Sequence, residues 1–149
     1  MTSFLPALLV WAVFPGVLAA QDPVGEGTLH VWSQRSGGGV YVSPGERVGA
    51  ARIRAWSWDV TSNAATPDVA FGFHNEYDCA QGTFRRLQRV RLNDGQVVER
   101  VDVAEPHRSP TLMEVESDLL PEFCAGKIGS LVTVPSLEAA RSLARNPRH

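Results

Sequence analysis

Between residues 69 and 79 the chain alternates with a period of two. Val69, Phe71, Phe73, Tyr77 and Cys79 lie at odd positions, and Ala70, Gly72, His74, Glu76 and Asp78 alternate with them. This pattern predicts a half-buried antiparallel strand with the odd set, Cys79 included, facing the core and the even set facing solvent. Ala80-Gln81-Gly82 then turns the chain, and residues 83–92 (TFRRLQRVRL) run back. Asn93-Asp94-Gly95 is a hairpin signal, followed by residues 96–103 (QVVERVDV), so three strands form a meander. Upstream, residues 28–33 (TLHVWS) read as a first strand. The Gly37-Gly38-Gly39 run turns into Val40-Tyr41-Val42, Pro44-Gly45 makes a further turn, and residues 48–61 form a long strand. A polar loop at 62–68 leads into the alternating segment.

After Glu105-Pro106 the period changes. Ser109-Pro110 reads as a helix start with Pro at the first helical position. Leu112, Val115, Leu119 and Phe123 then fall on one stripe, with Leu120 beside it and Glu114, Asp118 and Glu122 facing away. Pro121 shortens the last turn; Cys124 ends the helix and Gly126 stops it. An apolar run at 128–134 precedes a second helix that starts at Pro135-Ser136 and continues to Arg145. The pattern predicts an α+β fold: about six antiparallel strands, a helix packed on one face, and a short helix at the C-terminus.

The first twenty residues, MTSFLPALLVWAVFPGVLAA, carry no charged side chain. Small residues at Ala19 and Ala20 precede the polar QDPVGEG, the pattern of a secretory signal peptide. Pro6, Pro15 and Gly16 interrupt the run, which is short of the uninterrupted apolar stretch of about 20 residues that a bilayer span needs. The chain therefore divides into a signal peptide (1–20), a flexible lead (21–27), a domain (28–126) and a C-terminal extension (127–149). No cysteine follows the apolar run, so no lipid anchor at a new N-terminal cysteine is expected and no membrane span remains after cleavage. The formal charge of −2 over 149 residues argues against a general nucleic-acid binder.

Two cysteines in an exported chain predict one disulfide, Cys79–Cys124, joining the strand to the helix. The rival is a redox pair, but no C-x-x-C is present and no basic residue is clearly aimed at either sulfur. His74, Glu76 and Asp78 share one strand face as potential metal ligands or catalytic groups. Residues two apart on a strand are separated by nearly 7 Å, from a rise of about 3.3 Å each, too wide for three short side chains to reach one ion alone. A solvated strand face is the plainer expectation, and His30, His107 and His149 show no ligand spacing with it. No G-x-S-x-G, H-E-x-x-H or phosphate loop occurs, so no cofactor, metal or catalytic residue is expected. Arg85, Arg86, Arg89, Arg91 and Arg100 concentrate on the final hairpin, either as a patch for a protein or anionic ligand or as charge that protects a sheet edge. Trp56, Trp58 and Val60 share one face of a strand and are expected in the core.

The order of "GGVYVSP", "RIRAWSWDVTS", "EYDCAQGTFRRLQRVRLNDGQVVERVDV" and "SPTLMEVESDLLPEFCAG" resembles the surface-adhesin protein E family of bacterial envelope proteins, over roughly residues 28–126. The resemblance implies a small sheet with a disulfide-linked helix, a periplasmic or cell-surface location, and host matrix or plasma proteins as partners. The chain departs from the family in lacking a lipid-anchoring cysteine and in adding residues 127–149. The reading that follows is a secreted or periplasmic non-catalytic binding domain of the envelope. The alternatives are an extracytoplasmic enzyme using His74, Glu76 and Asp78, or a periplasmic inhibitor or accessory subunit.

Overall fold

The computed structural model describes residues 25–63 and 66–146. The expected signal peptide, most of the lead and His149 lie outside them. Eight strands, β1 (Leu29–Arg35), β2 (Gly38–Val42), β3 (Glu46–Arg47), β4 (Arg52–Asn63), β5 (Thr66–Asp78), β6 (Thr83–Asn93), β7 (Gln96–Asp102) and β8 (Thr133–Val134), accompany two helices, α1 (Glu116–Cys124) and α2 (Leu137–Arg145). The strands form one antiparallel sheet in the order β7-β6-β5-β4-β2-β1-β8, with β3 paired to β4. The α+β class holds. Two of the eight strands are only two residues long, and the polar loop at 62–68 is shorter than expected because β4 runs to Asn63 and β5 begins at Thr66.

The sheet has a core on each face. Cross-strand partners share a face, and the β4–β5 register pairs Ile53 with Tyr77, Ala55 with Asn75, Ser57 with Phe73 and Asp59 with Phe71 on what we term the front. Arg54 with Glu76, Trp56 with His74, Trp58 with Gly72 and Val60 with Ala70 form the back. Helix α1 covers the front at the C-terminal end of β5, where Leu119, Leu120 and Phe123 pack on Ile53, Ala55, Tyr77 and Phe84. Helix α2 covers the back at the other end, where Leu137, Ala140 and Ala144 pack on Tyr41, Trp58, Val60, Ala70 and Val90. Residues 127–146 therefore contribute to both cores, Ile128 to the front and Val134, Leu137, Ala140 and Ala144 to the back. Among the described residues, two quadrants remain uncovered, diagonally opposed on the two faces.

This arrangement corrects the strand reading. Tyr77 is buried as expected, but Phe71 is 41% exposed because the front core ends before it. Ala70 and Gly72 are buried instead, under Trp58 and α2. A Cβ at Gly72 would overlap the indole of Trp58. Gly72→Ala is accordingly expected to destabilise the protein by about 2 kcal/mol, the overpacking range, read as a lower urea midpoint at unchanged slope.

The first helix also starts later than the apolar stripe suggested. The Glu114 carboxylate accepts hydrogen bonds from Arg108 Nη1 and Nη2 at 2.8 and 2.6 Å and from the Thr111 amide at 2.8 Å. With the Arg108 hydrogen bond the larger cause and the Thr111 amide next, its carboxyl is held down at about 2. These bonds fold 108–114 into a closed loop where the first helical turn was expected, and Leu112 is left 96% exposed. The second helix follows its sequence signals: Ser136 Oγ caps it by accepting from the Ala139 amide at 3.2 Å. Arg141 and Arg145 tie it to the buried Asp68.

Candidate functional site

The predicted disulfide is formed, with Cys79 and Cys124 joined at a Cα separation of 5.5 Å. It fastens the last residue of α1 to the end of β5.

The five hairpin arginines do not form one patch. Register places Arg86, Arg89 and Arg91 on the front, opposite Asn75, Phe73 and Phe71, and Arg85 and Arg100 on the back. On the front, Arg86 lies 4.3 Å from the Phe73 ring centre and 3.5 Å from the Glu116 carboxylate, and Arg89 pairs with Glu99 at 2.8 Å. Adjacent residues of a strand point to opposite sides, so a run of arginines in sequence is split by the pleat.

The uncovered back quadrant gathers a different set. Arg54, Glu76 and Arg85 are directly opposed on three neighbouring strands, with Glu76 in the middle. Arg54 Nε donates to Glu76 Oε2 at 2.8 Å, and its Nη2 lies 2.7 Å from the same oxygen. Arg85 Nε and Nη2 approach Oε1 at 3.0 and 2.8 Å. Arg52 Nη1 stands 3.8 Å from Oε1, while its Nε donates to Asp78 Oδ2 at 3.4 Å. His107 Nε2 completes the ring at 3.3 Å from Oε1. Glu76 is 1% exposed, whereas the arginine side chains are 35–50% exposed. Burial alone would raise the Glu76 pKa, but the Arg54 hydrogen bond and the charges of Arg85 and Arg54 outweigh it and hold the carboxyl below its ordinary value.

Glu76 is therefore not on a solvated face, and the expectation of one is corrected. With no helix over this quadrant among the described residues, the guanidinium groups themselves cover the carboxylate. The other two members of the strand triad serve different ends. Asp78 Oδ1 accepts from the Ala80 and Gln81 amides at 3.1 Å each and so shapes the β5–β6 turn. The His74 ring stacks on Trp56 with centroids 4.9 Å apart. Burial is the main cause that lowers the His74 pKa, with Arg54 adding to it against Glu46 and Glu76. Trp58 is buried as expected, while Trp56 is only half-buried beside this site.

Among the described residues no group of three His, Cys, Asp or Glu side chains is placed to hold a metal ion, and no helix is long and apolar enough to cross a membrane. Both Glu76 oxygens accept hydrogen bonds from arginine. Arg52 and Arg54 were not among the residues singled out from the sequence, and His107, set aside there as having no spacing with this face, is brought to Glu76 by the fold. The alternation of Arg52, Arg54 and Trp56 with Ile53 and Ala55 carried the signal for the first two.

Comparison with known proteins finds no matching protein family, no matching curated protein and no matching solved structure.

Proposed function

We propose that the chain is an exported, non-catalytic binding domain of the bacterial envelope, and that the Glu76-centred back quadrant receives an anionic group of its partner. One observation carries this reading: a buried carboxylate holds three part-exposed guanidinium groups in fixed positions. Arg54 and Arg85 each use Nε and Nη2 on Glu76, which leaves Nη1 for a ligand. Arg52, Arg54 and Arg85 stand against Glu76, Asp78 and Glu46, the last opposite Arg54 on β3, so the anion is favoured by the unshared guanidinium N–H groups and not by a surplus of charge. Guanidinium groups already held in place lose less side-chain freedom on binding. Export is supported by the charge-free N-terminal twenty residues and by the disulfide, a bond characteristic of oxidising compartments. The likeness to surface-adhesin E proteins adds an envelope or host-surface protein as the partner.

The test is calorimetric titration with a sulfated oligosaccharide and with polyaspartate at low and high ionic strength. Binding is expected to weaken as salt rises. Replacing Arg52 and Arg85 together by Ala should weaken it about tenfold, equivalent to about 1.4 kcal/mol. The front-face pair Arg89→Ala and Arg91→Ala should leave it within about twofold, a change of about 0.4 kcal/mol. The opposite ranking, or no binding of either polyanion, overturns the proposal. Crosslinked pull-down from intact envelope then identifies the partner.

A further inference from the structure

A second site lies on the opposite face, independent of the arginine cluster. The last turn of α1 and the short 3-10 turn after it (Ile128–Ser130) stand off from the sheet at β1 and β3 and leave a cleft of about 260 Å³. Its wall is apolar, formed by Ile53, Phe123, Ile128 and Pro44, and two polar side chains border it, His30 and Arg47. His30 is 8% exposed, and its Nδ1 is buried with no hydrogen-bond partner among the described residues. Arg47 is exposed and has no acidic partner among the described residues. Lys127, at the edge of the same turn, is paired with Glu122 at 3.6 Å.

The geometry points to this cleft as a binding site for a small carboxylate with a compact apolar body, the carboxylate at Arg47 and the body against Phe123, Ile53 and Ile128. The volume of about 260 Å³ falls just below the usual range of ligand pockets, which starts at about 300 Å³. It holds one ring or a branched alkyl group rather than a long chain. Charge selects an acid over an amine: the Arg47 guanidinium is a donor, and among the described residues no carboxylate lines the cleft to receive an ammonium. The same chemistry is presented by a free carboxylic acid and by a peptide ending in an apolar residue.

The experiment is a nuclear magnetic resonance titration of the isotopically labelled chain with benzoate, isovalerate, benzylamine, and a tripeptide ending in Leu as free acid and as amide. Saturable shifts are expected at Ile53, Gly126 and Gly129 with both acids, at affinities on the order of 1 mM. The amine should bind at least fivefold more weakly, a difference of about 1 kcal/mol. A tripeptide free acid that binds more tightly than benzoate while its amide does not identifies a chain terminus as the ligand. Binding of the small acids with exclusion of the peptide identifies a free acid; either result upholds the site. Arg47→Ala should weaken benzoate about fivefold without lowering the melting midpoint. Gly129 lines the cleft and a Cβ there meets no atom within 4 Å, so Gly129→Val is expected to crowd the site while the protein still folds. Absence of saturable shifts, equal binding of amine and acid, or unchanged binding in both variants overturns the proposal.

Discussion

Reduction of the Cys79–Cys124 disulfide is expected to lower the unfolding free energy by about 4 kcal/mol, the chain-entropy value for a closed loop of this size. The bond spans 45 positions of sequence, so in the reduced unfolded chain a long segment regains its freedom. The native side gives a second reason for a large effect. Helix α1 has nine residues, contains Pro121, and is preceded by Val115, which provides no side-chain cap. A helix this short is not stable by itself and depends on its packing and its tether. Loss of the tether therefore loosens Leu119, Leu120 and Phe123 from Tyr77 and Phe84 before it touches the other core. Helix α2 is capped by Ser136 and tied to Asp68, and should stay protected. Urea unfolding with and without reductant measures the first effect, and the Cys79→Ser, Cys124→Ser double variant checks it. Hydrogen exchange should accelerate in α1 ahead of α2. An unchanged midpoint would show that the bond carries no stability.

The elements that local chemistry determines were legible in the sequence. The turns at Gly82 and Asp94-Gly95, the capped start of α2 at Ser136 and the cysteine pairing all rest on near neighbours or on a count of two thiols. Phe71 and Gly72 were misassigned for a different reason. Period two states that a strand has two faces, but not which face is covered, and here the cover passes from back to front along a single strand. Leu112 kept perfect helical spacing yet stands in solvent, because Glu114 bonds to Arg108 and Thr111 instead of joining a helix. Glu76 and its arginines were out of reach because the cluster depends on register. Arg54 and Arg85 meet Glu76 only when β4, β5 and β6 align, across sequence separations of 22 and 9. His107 arrives through a single bridge between Phe84 and Arg108 at the sheet margin, a contact without any periodic signal.

Glu76→Gln is expected to have the largest combined effect on stability and binding. Removing one partner of a buried ion pair costs about 3–5 kcal/mol when the other charge is left stranded in the interior. Here the stranded groups are guanidiniums 35–50% exposed, which relax toward water, so the cost should fall to about 2–3 kcal/mol. The pH dependence identifies the cause. Interaction with the arginines lowers the Glu76 pKa in the folded protein below the unfolded value of 4.5. The unfolded chain therefore binds the proton more readily, and the stability due to ionised Glu76 is fully present above that value. It is lost as pH falls through the folded pKa. Wild type and Glu76→Gln should differ most at neutral pH and converge in acid, as followed by urea midpoints from pH 7 downward. A gap that stays constant with pH would mean that the variant acts through packing and not through charge. The same substitution separates organisation of the site from its net charge. It makes the quadrant more positive by one unit, so a site that works by charge alone should bind polyanions more tightly. A site that depends on arginines held in place should bind them less tightly despite the added charge, because each guanidinium must then be ordered by the ligand at its own entropic cost. Weaker binding at higher positive charge is the expected result.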